Sequence, residues 1–182
     1  MKFGTLPLDE AEGAFLAHSV RAGDLVLKKG RILDAQDVAR LRTEGVETVT
    51  AARLSPEDVA EDDAAARIAA AVRGAEVESR APFTGRVNLF ADASGLLLLD
   101  RERIDQLNRI DEAVTIATLP PHADARAGQM VATVKIIPFA VGKDTLQQVL
   151  AVAGGAANGL VRIAPYRALQ VHLIQTQLAS VK

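Results

Sequence analysis

The sequence contains no cysteine and no tryptophan, and only 3% of it is aromatic. Without thiols there is no disulfide framework, no thiolate metal site and no cysteine nucleophile. With so few rings, a core must be assembled from Val, Leu, Ile and Ala. No apolar run approaches the roughly 18 residues of a spanning helix, and the start MKFGTLPLDEAEG lacks the apolar stretch of a signal peptide. An excess of one charge is also missing. The 21 Lys and Arg against 23 Asp and Glu leave a formal net charge of −2, with both signs interleaved. That balance supplies neither a basic field for nucleic acid nor a polybasic run for anionic lipid. No nucleic-acid partner and no membrane partner are expected, and the default compartment is the cytoplasm.

What is present suits a globular chain. The 182 residues are 49% hydrophobic and 24% charged, enough for one or two domains with cores of their own. Leu25-Val26-Leu27 is a strand candidate running into the polar turn Lys28-Lys29-Gly30. Asp34 can cap a helix, Asp37 suits its positive end, Val38 and Leu41 share a face, and Gly45 stops it. Val46 to Ala51 reads as a strand. Ser55-Pro56-Glu57-Asp58 carries the marks of a second helix start, and Glu61 to Arg73 is an Ala-rich helix ended by Gly74.

Beyond it, alternation predicts strand at Arg86 to Phe90, with Val87 and Leu89 on one side and Arg86 and Asn88 on the other. Leu96 to Leu99, Val114 to Leu119 and Gln129 to Ile137 are further strands, and Asp100 caps a short helix bearing Ile104 and Leu107. A helix over Asp144 to Ala153 is followed by strands at Leu160 to Ala164 and Val171 to Thr176.

Sites of chemistry are scarce. Neither a P-loop nor a G-x-G-x-x-G turn between strand and helix occurs. The loop from Gly154 to Gly159 follows a helix and precedes a strand, the wrong order for aiming a helix N-terminus at an anion. His18, His122 and His172 have no ligand partner nearby. The acids Glu61, Asp62 and Asp63 could hold Mg²⁺, but acids in a first helical turn are explained by the macrodipole. Ser19 beside His18 on a strand faces the other way. Two features point to a ligand. Thr84, Gly85, Arg86 and Asn88 gather a hydroxyl, a guanidinium and an amide around a glycine, and the planar fork of arginine suits phosphate. Lys135 stands alone among the apolar residues of its strand. The run from Gly128 to Val134 is shaped like a strand of biotinyl- and lipoyl-type barrels, but Lys135 is not at a hairpin tip, so a carrier role is not expected.

The blocks PLDEAEGAFLAHSV, LKKGRILDAQDVARLRTEGVETV, PEDVAEDDAAARIAAAV, FTGRVNLFADASGLLLLD, IATLPPHADARAGQMVATVKIIPFAV and VHLIQTQL follow one another along nearly the whole chain. In that order they resemble the N-terminal region of molybdopterin-binding proteins related to molybdopterin molybdenumtransferase. In some bacteria that architecture is fused to a domain that joins CTP to molybdopterin. The resemblance implies a role in molybdenum cofactor biosynthesis. It implies molybdopterin, with Mg and CTP, as ligands of a longer protein, none of them held by these residues. The partners it implies are a following molybdopterin-binding domain and a second copy of the chain.

No catalytic or metal-ligating residue can be carried over, because the matching blocks are structural. The expected fold class is α+β: a small αβ lobe over 1–54, a helical connector over 55–80, a β-rich, barrel-like lobe over 81–141, and a closing segment over 142–182. That segment is expected to lead into an α/β pterin domain whose remainder lies beyond Lys182, leaving apolar surface exposed from Val171 to Leu178. The main functional expectation is a scaffold, inactive alone. The alternatives are an enzyme acting on a phosphorylated small molecule through Thr84, Gly85, Arg86, Asn88 and Lys135, or a barrel-type adaptor.

Overall fold

The first third of the chain folds into β1 (Lys2–Pro7), β2 (Phe15–Leu16), β3 (Val20–Ala22), β4 (Leu25–Leu27), α1 (Ala35–Thr43) and β5 (Thr48–Arg53). These assignments come from a computed structural model, which describes residues 1–176. β5 lies between β1 and β2 in an antiparallel sheet, and β3 and β4 form a hairpin. α1 begins where its caps predict. The Asp34 carboxylate accepts from the Asp37 backbone N–H and the Asp37 side chain accepts from that of Asp34, a reciprocal pair that satisfies two orphan donors. Asp37 is only 1% exposed and is paired with Arg31, which removes the cost of burying its charge. Leu6, Leu16, Leu27, Leu33, Leu41 and Val49 fill the core of this lobe.

The rest of the chain builds a second core. Its elements are β6 (Asp58–Ala60), α2 (Glu61–Val72), β7 (Val77–Ser79), β8 (Arg86–Ala91), β9 (Gly95–Leu99), α3 (Arg101–Leu107), β10 (Val114–Thr118), β11 (Asp124–Ala125), β12 (Met130–Ile136), β13 (Ala140–Gly142), α4 (Lys143–Gly154) and β14 (Val161–Pro165). One antiparallel sheet has the order β10-β12-β8-β7 and another the order β11-β9-β14. The fold is a mixed α+β one, as composition and periodicity predict.

α2 packs across β8 and β12 and against α4. Its buried residues are Ala64, Ala65, Ile68, Ala69 and Val72, spaced for one helical face. The small alanines let the helix axis approach the sheet closely while Ile68 and Val72 fill the gaps. On β8 the alternation is realised: Val87 and Leu89 are buried beneath α2, and Arg86 and Asn88 lie on the opposite face.

Two expectations are corrected. Ser55 to Asp58 starts no helix. The Asp58 carboxylate accepts from both the backbone N–H and the hydroxyl of Ser55, and it also pairs with the Met1 amine at 2.7 Å. This turn leads into β6, which pairs with β13, so the capping residues serve a turn between the lobes. Val171 to Thr176 is not a strand. Its alternation finds no neighbouring strand, and Leu169, Val171, Leu173 and Ile174 are 72–88% exposed. The exposure expected from Val171 onward is thus seen as far as Thr176, and Leu178 lies outside the described residues. Among the described residues, no helix is long and apolar enough to cross a membrane.

Burial pushes the Asp58 carboxyl up, but the Met1 amine and the two Ser55 donors outweigh it and bring it down to about 2 from an ordinary 3.8. A folded value below the unfolded one adds stability above the unfolded value, and that stability is lost as pH falls through the folded one. Acid unfolding followed by circular dichroism should therefore show a loss between about pH 4 and 2 that is shallower in Asp58→Asn. Identical acid limbs for the two proteins would contradict this ion pair.

Candidate functional site

Arg86 and Lys135 are directly opposite each other in the β8–β12 register. Like charges at such a position are unfavourable, by up to ~1 kcal/mol, so a sheet face built only for solvation would avoid the pair. Their surroundings form a cleft of about 400 Å³ lined by Lys29, Gly30, Glu61, Thr84, Arg86, Lys135, Ile137 and Phe139, a size within the range of small-molecule sites. Lys29 and Gly30 come from the first lobe, in the turn after β4, while the other residues come from the second. The cleft is therefore interlobar, and its cations outnumber its single carboxylate. Among the described residues, none of Lys29, Arg86, Lys135 or Glu61 takes part in an ion pair within 4.0 Å.

Each group is positioned by backbone. Lys29 donates its N–H to Ser19 Oγ at 3.1 Å, and the Gly30 N–H bonds the Leu16 carbonyl at 2.8 Å. Ser19 thus braces a turn. Glu61 is the first residue of α2, and its N–H bonds the Phe139 carbonyl at 2.9 Å. The Phe139 ring stacks on Phe3 at 6.3 Å and tilts against Phe15 at 6.4 Å between centroids. Both partners belong to the first lobe.

Thr84 and Gly85 both have left-handed backbone, with φ of 49° and 70°. For a β-branched residue that is a true outlier, and such strain of ~1–3 kcal/mol is concentrated at working sites. Gly85 cannot carry a side chain: a Cβ there would stand 2.7 Å from Glu61 Oε2 and 2.7 Å from the Ile136 carbonyl oxygen. Its N–H donates to Asp62 at 2.7 Å.

Of the five residues singled out in the sequence, Thr84, Arg86 and Lys135 line one cleft, and Gly85 packs behind it against Glu61. Asn88 shares the sheet face but stays outside, its amide oxygen accepting from Thr133 Oγ1 at 2.8 Å. Glu61, Asp62 and Asp63 diverge into cleft, Gly85 N–H and Arg67 respectively, so the acidic run is not a cation cage. No group of three or more metal-type ligands exists among the described residues. The loop from Gly155 to Gly159 borders an open, polar hollow with Arg103 and Arg162, in which Arg103 is paired with Asp100 at 3.4 Å. Sequence reasoning passed over Lys29, Ile137 and Phe139 as site residues and assigned Glu61 to the helix dipole.

Burial pushes the Glu61 carboxyl above its ordinary value, and the neighbouring Asp62 adds to this, while Lys135 and Lys29 pull it down. Chemically the cleft offers two ammonium groups, one planar guanidinium, a hydroxyl and a carboxyl beside the apolar wall of Ile137 and Phe139. That set suits an oxyanion attached to a small organic body.

A family model described as a domain of unknown function (DUF8806) matches residues 5–53. That span closely coincides with the first core, whose buried members run from Leu6 to Ala51. No curated protein matches the chain, and no solved structure does.

Placing a methyl group at position 85 tests the left-handed turn that packs against Glu61. Gly85→Ala is expected to lower stability by ~1–3 kcal/mol in urea unfolding, from backbone strain and the Cβ clash together. Unchanged stability would show that the left-handed turn and the seat of Glu61 are not required.

Proposed function

We propose that this chain is a ligand-anchoring scaffold of a molybdenum cofactor biosynthesis protein, gripping the phosphate of a small molecule in the interlobe cleft and performing no chemistry alone. The observation that carries the anchoring role is the convergence of Lys29, Arg86 and Lys135 on one cleft without a counter-charge within ion-pair distance. Such cations attract an oxyanion, and a desolvated charge-assisted hydrogen bond contributes about 1.5–3 kcal/mol. The cofactor context rests on the resemblance of the sequence blocks alone.

The exposed apolar residues Leu169, Val171, Leu173 and Ile174 support an assembly role, because apolar side chains left in water mark surfaces that pack on something else. A molybdopterin-binding unit is the partner this reading supplies, and the cytoplasm is its compartment. Molybdopterin, Mg and CTP belong to the larger assembly in this reading.

Titrating inorganic phosphate at low ionic strength should raise the melting temperature by ligand linkage, with the effect fading as salt screens the cleft. Arg86→Ala should weaken phosphate binding by about 10- to 100-fold, the equivalent of one charge-assisted bond, while Asn88→Ala should bind as the wild type does. Phosphate that leaves the melting temperature untouched, or an Arg86→Ala protein with unchanged affinity, would remove the anchoring role.

A further inference from the structure

Three of the four charged groups in the cleft, Lys29, Arg86 and Lys135, are cations. They attract any tetrahedral oxyanion and cannot tell phosphate from sulfate, which share shape and size. The fourth group can. Resting on the anion site proposed above, we propose that Glu61 makes the cleft select oxyanions that carry a proton, phosphate monoesters foremost, over fully deprotonated ones such as sulfate.

The argument begins with where the carboxyl is held. Glu61 Oε2 rests against Gly85 so closely that a Cβ there would stand 2.7 Å away, and its N–H is tied to the Phe139 carbonyl. It is a lining group of the cleft, on a backbone anchored at the start of α2. The charged groups around it are Lys29 from the turn after β4, Arg86 on β8, Lys135 on β12 and Asp62 beside it on α2. Asp62 is committed to the Gly85 N–H, which leaves Glu61 as the one carboxyl lining the cleft among the described residues.

A carboxylate facing a bound sulfate has no proton to accept and repels it across a partly dehydrated space. Facing a phosphate that keeps one hydroxyl, the same carboxylate accepts that O–H in a short charge-assisted hydrogen bond. Repulsion becomes attraction through a single proton. Burial and Asp62 hold the Glu61 carboxyl above its ordinary value, which makes it a stronger acceptor for that proton. The second ionisation of a phosphate monoester lies near 6, so the protonated monoanion is abundant in mildly acidic to neutral solution. The apolar wall of Ile137 and Phe139 then receives the organic part of the ester, and the cleft, at about 400 Å³, has room for it.

The test is a calorimetric comparison of inorganic phosphate and sulfate on the full chain at about pH 6, where phosphate retains a proton. Wild type should bind phosphate at least about tenfold tighter than sulfate, a gap of about 1.4 kcal/mol. Glu61→Gln, whose amide can donate to sulfate, should bring the two affinities to within about threefold, and Glu61→Asp should keep the preference. Equal affinities in wild type, or a preference surviving Glu61→Gln, overturn the selection while leaving the anion site intact. Binding of neither anion overturns both.

A second measurement does not depend on any variant folding. In wild type, sulfate affinity should rise as falling pH adds a proton to Glu61, whose carboxyl burial and Asp62 push up, and a flat sulfate profile would count against the proposal.

Discussion

Phe139 is the residue on which the two halves of the molecule meet. Its ring reaches across to Phe3 and Phe15, its carbonyl fixes the first N–H of α2, and the strand β13 that begins beside it pairs with β6. Three of the chain's five phenylalanines are spent at this junction. An aromatic pair adds only about 0.5–1.5 kcal/mol beyond the area it buries, far less than either hydrophobic core supplies. Each lobe has its own buried core, and their mutual placement depends on a small set of contacts that includes the rings and the Met1 amine on Asp58. Everything that requires Lys29 to stand across from Lys135 depends on that set.

The electrostatics of the cleft follow from the same geometry. β8 and β12 face α2 with Val87, Leu89 and Val134, all buried, so their alternate residues must face away from the helix. On that outer face the register puts Arg86 opposite Lys135 and Asn88 opposite Thr133. The second pair satisfies itself by a hydrogen bond; the first repels. Bringing up Lys29 from the first lobe increases the repulsion, and Glu61 relieves only part of it. An arrangement that is unfavourable when empty and favourable around an anion is how a binding site differs from a solvated surface, and the strained Thr84 beside it points the same way.

Local rules carried the reading a long way where local rules decide the outcome. α1 was legible because Asp34, Asp37 and Gly45 mark both its ends; α2, α3 and α4 were legible from apolar spacing; β8 and β12 from alternation. Ser55 to Asp58 had every mark of a helix start and is a turn, because the Asp58 carboxylate is taken by Ser55 and by an amine more than fifty residues earlier. Val171 to Thr176 alternates like a strand, but alternation is a property of one chain, and a strand needs a neighbour. The site divides along the same line. Thr84, Arg86 and Lys135 stood out because each breaks a local pattern. Glu61 did not, since an acid at a helix start is fully accounted for by the dipole, and Lys29 was one more polar residue in a turn. Their shared cleft is a tertiary fact.

That the cleft takes its groups from both lobes has a consequence for how it works. The first core ends with Ala51 and the second begins with Val59, and the family match stops at residue 53. Lys29 thus belongs to a unit with its own core, while Arg86, Lys135 and Glu61 belong to another. Neither unit alone presents three cations to one anion. Under the anion-site proposal, a ligand held from both lobes would favour their docked arrangement by the difference in its affinity for the joined and parted forms. Small contacts at Phe139 place the lobes when the cleft is empty; an anion shared between Lys29 and the Arg86–Lys135 pair adds to them at the same junction. Under that proposal, binding and interlobe order would be one equilibrium, read at the ligand or at the rings.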